Sequence, residues 1–342
     1  MSPNVKQVIF KQDPGRGMVT PAAMEVVEVA YPSRALEQDE VLIKALFISL
    51  DPYMRGRMNT KVASYSQPFT LGKPMDGGVV AEVIESRRDG LAAGDKVIGR
   101  LTWESYSIVP AGTELKKLPA ENGVPLSYYL GVLGMPGMTA YHGLLNIGNP
   151  KPGETVFVSG AAGAVGLIVG QIAKIKGCRV IGSAGTDDKV ELLKSKFGYD
   201  AAFNYKTVAS QSAILKEYAP NGIDVYFDNV GGETLDTVLV HMNTFGRLIE
   251  CGMISQYNAE TPYGIKNLVM VVGKQLRIEG FIISSQSSKP EFVKSFVTDV
   301  TQWILEKKIY YAEHVVEGIE SIPSAFIGLM TGDNTGKFVI KL

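Results

Sequence analysis

A glycine-rich segment is the part of this sequence whose residue types and spacing point most directly to chemistry. The apolar run at 155–158 leads into Gly160, Gly163 and Gly166, and residues 167–176 then have the pattern of a helix. This order predicts a strand, a tight turn and a helix N-terminus, whose amide groups can bind the pyrophosphate of a dinucleotide. Because glycine occupies any tight turn, the spacing alone fits an ordinary turn equally well.

The elements that would position such a site follow in the right order. Predicted helices at 187–196 and 211–217 are interleaved with predicted strands at 179–183, 201–205, 224–228, 247–251 and 277–283. Alternating strands and helices predict an α/β fold with a doubly wound parallel sheet of the Rossmann type. The glycine-rich turn therefore lies in the context that dinucleotide binding requires.

The rest of the chain has a different pattern, which indicates a second domain. Residues 1–125 contain short alternating strand-like runs, for example 40–47, 77–84 and 95–101, and they predict a mainly β domain. Helical periodicity begins within 126–145, so the nucleotide-binding domain is assigned to 126–300. The segment 301–342 contains a strand, a helix and a strand, at 313–317, 321–330 and 336–341, and is expected to return to the first domain.

Composition excludes several classes of partner. Among 342 residues, 34 basic and 35 acidic side chains are well mixed and give a net charge of −1, so we expect no binding to nucleic acid or to an anionic membrane. Residues 1–14 lack the continuous apolar region of a signal peptide, and no stretch reaches the roughly 18 apolar residues of a membrane span. These patterns predict a cytoplasmic protein that acts on small molecules.

Cysteine and histidine residues are few. Cys178 and Cys251 form neither a disulfide framework nor a Cys-x-x-Cys pair, and His142, His241 and His314 lack the spacing of metal ligands. We therefore expect two inert thiols and no metal site.

Five ordered motifs resemble those of one enzyme family, the medium-chain dehydrogenase/reductase superfamily. The chain is similar to its zinc-independent branch of prostaglandin/leukotriene reductases, alkenal double-bond reductases and curcumin reductase. The motifs are Leu-Asp-Pro-Tyr-Met-Arg at 50–55, Gly-Val-Leu-Gly-Met-Pro-Gly at 131–137, Ala-Ala-Gly-Ala-Val-Gly at 161–166, Asp-Asn-Val-Gly-Gly at 228–232 and Cys-Gly-Met-Ile-Ser at 251–255.

This resemblance implies a GroES-like first domain, an inserted Rossmann domain, a homodimer and NADPH-dependent reduction of an activated carbon–carbon double bond. The substrate would be an α,β-unsaturated aldehyde or ketone. Zinc-dependent members have a Gly-His-Glu segment where this chain has Gly-Lys-Pro-Met-Asp-Gly at 72–77, which agrees with the scarcity of metal ligands.

The residues after the second predicted strand of the Rossmann domain indicate the preferred cofactor. That strand ends at Gly182-Ser183-Ala184-Gly185, and the first carboxylate is Asp187, so nothing there repels the 2′-phosphate of NADPH. The resemblance assigns this phosphate to Lys189. Tyr205 would bind the phosphate or adenine end, although an exposed tyrosine at a strand end explains it equally well.

The resemblance implies further cofactor contacts. Asn229 and Asn334 belong to this set, although either asparagine could also serve only to form its turn. Phe281, Ile282 and Ile283 are expected at the end of the sixth strand, beside the nicotinamide. The remaining implied contacts are Ala162, Gly163, Ala164, Val165, Gly166, Cys251, Gly252, Ser255 and Tyr257.

The implied mechanism is hydride transfer to the β-carbon, followed by protonation of an enolate at the α-carbon. Tyr257 is the candidate proton donor, and a tyrosine that only stacks on the nicotinamide is the alternative. Tyr53, Arg55, Tyr65 and Met138 are candidate substrate contacts, with an interdomain salt bridge as the alternative for Arg55. A quinone reductase of the same superfamily and a non-catalytic NADPH-binding protein are the rival functions.

Overall fold

The computed structural model describes residues 4–62, 64–119 and 123–342. Within them the strands are β1 (Val5–Phe10), β2 (Met24–Val29), β3 (Val41–Ser49), β4 (Asp76–Ser86), β5 (Lys96–Thr102), β6 (Tyr106–Val109), β7 (Lys116–Lys117), β8 (Thr155–Val158), β9 (Arg179–Ala184), β10 (Ala201–Asn204), β11 (Ile223–Asp228), β12 (Met242–Glu250), β13 (Arg277–Gly280), β14 (Glu313–Glu317) and β15 (Lys337–Lys341).

The helices of the same residues are α1 (Met54–Arg57), α2 (Met135–His142), α3 (Gly166–Ile175), α4 (Asp187–Ser195), α5 (Gln211–Tyr218), α6 (Gly232–His241), α7 (Ile254–Tyr257), α8 (Met270–Gly273), α9 (Ser284–Ser287), α10 (Pro290–Leu305) and α11 (Ile322–Thr331). Three short 3-10 helices lie at Pro21–Ala23, Leu126–Leu130 and Ile319–Ser321, and a π-helix at Gly143–Gly148 continues α2.

A parallel sheet of six described strands forms the second of two compact units, Gly131–Ala312. Its strand order is β10-β9-β8-β11-β12-β13, and every pair in it is parallel. Successive strands run outward from β8 in one direction and from β11 in the other, so the sheet has a switch point between β8 and β11. Ligands of open parallel sheets bind outside the carboxyl ends of the strands at such a point. The predicted Rossmann fold is confirmed.

The first compact unit comprises Met1–Leu130 and Glu313–Leu342. Its larger sheet has the order β14-β15-β3-β4-β5-β7, with β6 paired to β3, while β1 and β2 form a separate antiparallel pair. The C-terminal strand β15 joins this sheet by antiparallel pairing of Val339 with Ser49. The core of the unit includes Phe10, Trp103 and Phe326, all shielded from solvent. The first unit is thus mainly β and includes the C-terminal strands β14 and β15.

The second unit begins at Gly131 and ends at Ala312, which is 5 and 12 residues after the expected domain ends at 126 and 300. Leu130 packs with Val80 and Val339, which keeps the 3-10 helix before residue 131 in the first unit. After α10, Gln171 of α3 donates to the Tyr310 carbonyl at 2.8 Å and accepts from its amide at 2.7 Å, which holds the chain up to residue 312 in the second unit.

Two strands of the parallel sheet differ from the sequence expectation. β12 begins at Met242, whereas the sequence predicts a strand from residue 247. β13 ends at Gly280, whereas the sequence predicts a strand to residue 283. β13 pairs only with β12 among the described strands, and the last paired residue, Gly280, is opposite Glu250, where β12 itself ends. With no further partner for its backbone groups, the chain leaves the sheet.

No helix within the described ranges is long and apolar enough to cross a membrane.

Candidate active site

The glycine-rich turn between β8 and α3 has a conformation that requires its glycines. Gly160 has a φ of +59°, and a Cβ atom added to Gly166 would lie 2.5 Å from the Gly160 carbonyl oxygen and 2.7 Å from the Ala161 Cα. The Tyr199 hydroxyl donates to the Gly166 carbonyl at 2.7 Å and fixes the start of α3. The N-terminus of α3 therefore lies at the switch point of the sheet, as dinucleotide binding requires.

The other cofactor candidates of this turn lie where the motif predicts. Ala162 is buried, whereas Gly163, Ala164 and Val165 are half-buried and precede the first turn of α3. The backbone of these residues, rather than any side-chain functional group, is therefore the part available to a phosphate.

The end of β9 is surrounded by cationic and hydroxyl groups. A Cβ on Gly185 would lie 3.2 Å from the Tyr205 Oη and 3.5 Å from the Lys206 Nζ. Thr186 caps α4 by accepting the Lys189 amide at 3.3 Å, which places Lys189 in the first turn of that helix. Lys206, which the sequence analysis did not single out, therefore joins the site. The pattern Asn-Tyr-Lys after a strand was the available signal.

Asp187, the first carboxylate after β9, has a structural role. It accepts a hydrogen bond from the Asn204 side chain at 2.8 Å and so links α4 to the end of β10. Asn204 thus holds the Asp187 carboxylate. This geometry agrees with the expectation that the end of β9 offers no acid to a ribose hydroxyl.

Asn229 connects the turn after β11 to the glycine-rich turn. Its backbone amide donates to the Ser159 Oγ at 3.0 Å and its side-chain amide donates to the Ser159 carbonyl at 2.8 Å. Asn229 is therefore a turn-forming residue that also borders the dinucleotide site.

Asp228, the last residue of β11, organises three turns at once. Its Oδ1 accepts hydrogen bonds from the hydroxyls of Tyr226 at 2.6 Å and Ser159 at 2.8 Å, and from the amides of Val230 at 2.8 Å and Gly231 at 2.9 Å. Burial raises the pKa of this fully buried carboxyl group, and these donors oppose that shift. Sequence reasoning missed Asp228 as a site residue, although an acid ending an apolar strand was visible.

The turn after β12 is attached to the same aspartate. Cys251 and Gly252 donate their amides to the Asp228 carbonyl at 3.0 and 3.1 Å, and the Ser255 amide and hydroxyl both donate to the Val230 carbonyl, at 3.2 and 2.6 Å. Burial raises the pKa of the Cys251 thiol to about 12, so this cysteine is an unreactive part of the turn.

Tyr257 ends α7, the short helix after this turn. Its hydroxyl oxygen accepts the Met253 amide at 3.3 Å, and a Cβ on Gly252 would lie 3.0 Å from that oxygen. A phenol that accepts a hydrogen bond still carries a proton that it can donate. The structure therefore places the Tyr257 hydroxyl over the backbone of the turn after β12.

Phe281, Ile282 and Ile283 follow β13 instead of ending it, which corrects their predicted placement. The Phe281 ring makes an edge contact with His142 at a centroid distance of 5.5 Å. Met138 lies one turn before His142 on the same face of α2. Phe281 thus contacts α2 through His142.

Four candidates lie in the first unit. Burial, followed by the charge of Asp51, raises the pKa of Tyr53 to about 12. The buried Arg55 donates to the carbonyls of Gly15 at 2.6 Å and Gly17 at 3.0 Å, so it anchors a loop.

The other two candidates of the first unit differ in exposure. The Tyr65 side chain is 63% exposed. Asn334 is buried, and its side-chain amide donates to the Gly336 carbonyl at 2.7 Å, as in a turn that closes before β15.

The residues of the described ranges contain no group of three or more His, Cys, Asp and Glu side chains that could hold a metal ion.

Comparison with known proteins identifies the family. The family model described as the N-terminal domain of oxidoreductase matches residues 6–118, and the model described as zinc-binding dehydrogenase matches residues 164–298. The chain is 47% identical to a 2-alkenal reductase (NADP(+)-dependent) of Nicotiana tabacum, over 98% of this chain and 97% of that protein. The chain belongs to the medium-chain dehydrogenase/reductase superfamily.

Two further relatives place it in the branch that the motifs indicated. Prostaglandin reductase 1 of Rattus norvegicus is 48% identical over 90% of each chain. The crystal structure of CurA in complex with NADPH from Vibrio vulnificus superposes with a TM-score of 0.91, at 40% identity and with 98% of each chain covered. The family resemblance read from the sequence is therefore confirmed.

We predict that Gly166→Ala weakens dinucleotide binding, because the added methyl would overlap the backbone of the turn. Overpacking of this kind costs about 1–3 kcal/mol, which corresponds to roughly a 5- to 150-fold rise in Kd. Fluorescence titration with NADPH measures this change. Gly264→Ala is the matched control, since a Cβ there has nothing within 4 Å. Equal Kd values for both variants would show that Gly166 does not shape the site.

Proposed function

We propose that the protein reduces the carbon–carbon double bond of α,β-unsaturated aldehydes and ketones with NADPH. The observation that carries this proposal is the 47% identity to an NADP-dependent 2-alkenal reductase over nearly the whole chain. The dinucleotide-binding geometry of the second unit supports this proposal independently of the identity. That geometry is seen in the close packing of the glycine-rich turn and in the strand order of the parallel sheet.

The residues at the end of β9 fit NADPH. A 2′-phosphate needs cations and hydrogen-bond donors, and these would come from Tyr205 and Lys206, which lie beside Gly185, and from Lys189 in the first turn of α4. Asp187 accepts a hydrogen bond from Asn204, which ties its carboxylate to the end of β10. The glycine-rich turn from Ala162 to Gly166 would hold the pyrophosphate.

The turns after β11 and β12 would hold the nicotinamide half. We assign this role to Asn229, Cys251, Gly252 and Ser255, together with the segment 281–283 that follows β13. The amides of Cys251 and Gly252 bond to the Asp228 carbonyl, that of Ser255 bonds to the Val230 carbonyl, and that of Asn229 bonds to Ser159, so these turns are organised before the cofactor arrives. Asn334 of the first unit is assigned to the cofactor by family resemblance.

The nicotinamide supplies a hydride when NADPH is bound. What this chain must add is a proton for the α-carbon and a donor for the oxygen that gains negative charge. The Tyr257 hydroxyl is the group we assign to this, because its oxygen is held by the Met253 amide on the turn after β12. An amide donated to a phenol oxygen stabilises the phenolate left after proton transfer, which favours donation.

Three side chains are assigned to substrate contact, and a fourth candidate is assigned an indirect role. Tyr53, the exposed Tyr65 and Met138 would contribute apolar and aromatic surface. Arg55 would act through the loop at residues 15–17, whose carbonyls it binds, rather than by contacting the substrate.

Product identification tests the proposed function. Turnover of 2-hexenal or a simple enone with NADPH should yield the saturated aldehyde or ketone. An allylic alcohol as the product would contradict the proposal. Oxidation of NADPH by a small quinone but by no enone would identify a quinone reductase, and bound NADPH that stays unoxidised with all substrates would identify a binding protein.

We also propose that the protein is a cytoplasmic homodimer. The edge strand β13 has β12 as its described partner on one side, and exposed apolar side chains lie in this strand and in the residues just before and after it: Leu268, Val269, Val272, Ile278 and Ile282. An uncovered strand edge beside exposed apolar residues favours pairing with a second copy. Sedimentation velocity should show a dimer for the wild type and a monomer for a Val269→Asp, Val272→Asp variant.

Lys189→Ala should raise the Kd for NADPH and leave the Kd for NADH nearly unchanged. Loss of a charge-assisted contact to the 2′-phosphate costs about 1.5–3 kcal/mol, so the expected loss is roughly 10- to 150-fold. Lys206→Ala should act in the same direction. Lys194→Ala is the control, because Lys194 lies at the far end of α4 and pairs with Glu191. Equal losses for NADPH and NADH would remove Lys189 from the phosphate site.

Tyr257→Phe deletes only the hydroxyl, so kcat should fall while NADPH affinity changes little. Positioned proton transfer contributes roughly 10²- to 10⁴-fold, and because water can replace part of it we expect a decrease of about 10- to 100-fold. Steady-state kinetics and fluorescence titration separate the two effects. An unchanged kcat would show that the hydroxyl is not the proton donor, and a parallel loss of NADPH binding would make Tyr257 a residue that holds the cofactor.

A further inference from the structure

Three carboxyl oxygens are buried together beside the cofactor turns without a hydrogen-bond partner among the described residues. They are the Oδ2 of Asp228 and both carboxyl oxygens of Glu250. A buried carboxylate that lacks partners is costly, so this arrangement needs a physical explanation.

Register brings the two acids together. Asp228 and Glu250 are paired positions on the neighbouring parallel strands β11 and β12, and each ends its strand. Paired residues of adjacent parallel strands lie about 4.8 Å apart and direct their side chains to the same face of the sheet. The Oδ1 of Asp228 is already occupied by four donors, which leaves Oδ2 as its available acceptor.

The surroundings of Glu250 determine which acid carries a proton. Hydroxyl and amide donors converge on Asp228 and stabilise its ionised form, whereas none of the described residues donates to the Glu250 carboxyl group. Burial, and secondarily the charge of Asp228, raises the pKa of Glu250 to about 8. A proton on Glu250 turns one of its oxygens into a donor, which can bond to the vacant Oδ2 of Asp228.

We propose that Glu250 is a positioning residue for the cofactor: at neutral pH it is protonated and donates to Asp228, which keeps the turns after β11 and β12 in their cofactor-binding arrangement. The proposal takes NADPH as ligand from the proposed function, and it adds a residue and a protonation state to that site.

Ionisation of Glu250 would disturb the turns through Asp228. Asp228 receives the amides of Val230 and Gly231 on its side chain and those of Cys251 and Gly252 on its carbonyl. A second negative charge beside it in a buried environment repels its carboxylate and strains these bonds.

Other titratable groups nearby do not supply a compensating charge. The Tyr226 hydroxyl donates to Asp228, and burial holds the pKa of Tyr226 well above its usual value. Burial likewise keeps the Cys251 thiol protonated. Glu279 on β13 is paired with Arg277. The titration of Glu250 is therefore the event expected to change this cluster between neutral and alkaline pH.

The test is the pH dependence of the Kd for NADPH. If only protein with protonated Glu250 binds well, the apparent Kd rises in inverse proportion to the protonated fraction, about tenfold between pH 7 and pH 9. Glu250→Gln keeps the size and a donor for Asp228, so it should bind NADPH at pH 7 like the wild type and lose this pH dependence. Glu279→Gln is the matched control on the next strand and should retain it. Identical pH profiles for the wild type and Glu250→Gln would overturn the proposal.

Two measurements without cofactor keep the inference separate from the proposed function. Since the pKa of Glu250 is higher in the folded than in the unfolded chain, its contribution to stability is complete below about pH 4.5 and is lost as the pH rises to about 8. The Tm of the wild type should therefore fall relative to that of Glu250→Gln as the pH rises from about 4.5 to about 8. Above this range the difference between the two Tm values should stay constant. A constant difference would contradict a protonated Glu250.

Infrared spectroscopy of the wild type provides a check that does not depend on how a variant folds. A protonated-carboxyl band present at pH 7 should disappear at about pH 9.5, as the raised pKa requires. Absence of that band at pH 7 would overturn the proposal even if NADPH reduction of enones proceeds as proposed.

Discussion

The hydrogen bonds of the buried Asp228 carboxylate are the interaction on which the organisation of this site depends. Ser159 after β8, Val230 and Gly231 after β11, and the backbone after β12 all bond to this one residue. Hydrogen bonds to a charged group contribute about 1.5–3 kcal/mol each, and together they offset part of the cost of burying the charge. Three turns from separate strands thereby take one fixed arrangement at the carboxyl edge of the sheet.

A second constraint is steric and acts on the phosphate side. The close approach of Gly166 to the Gly160 carbonyl brings the start of α3 against the strand, and Tyr199 locks that contact with a bond to the Gly166 carbonyl. The same ring also fills the space beside Gly170 and Gly182. The small residues are Gly182 on β9 and Gly166 and Gly170 on α3. They allow the N-terminus of α3 to lie at the switch point, where its amides can bind a phosphate.

Sequence reasoning reached the parts of the site that depend on local pattern. The glycine-rich turn, the alternation of strands and helices, and the missing acid after β9 all follow from residues close together in the chain. The role proposed for Glu250 could not be derived this way, because it depends on which strand lies beside β12 and in what register. The early end of β13 has the same origin, since a strand persists only as far as its partner does.

Burial and hydrogen bonding decided the remaining differences. Arg55 has the residue type of an anion-binding side chain, but its guanidinium binds the carbonyls of Gly15 and Gly17. Asn334, a cofactor candidate by resemblance, donates to Gly336 within its own turn. A residue type indicates what a side chain can do, and only its neighbours in three dimensions determine what it does.

The central claim is that this site directs hydride to a carbon–carbon double bond and a proton to the adjacent carbon. Isotope placement tests it most directly. With an enone and NADPH that carries deuterium at the transferred position, NMR should find deuterium at the β-carbon of the saturated ketone. With unlabelled NADPH in deuterated water, it should find deuterium at the α-carbon. Deuterium from the cofactor at the carbinol carbon of an allylic alcohol would contradict the account.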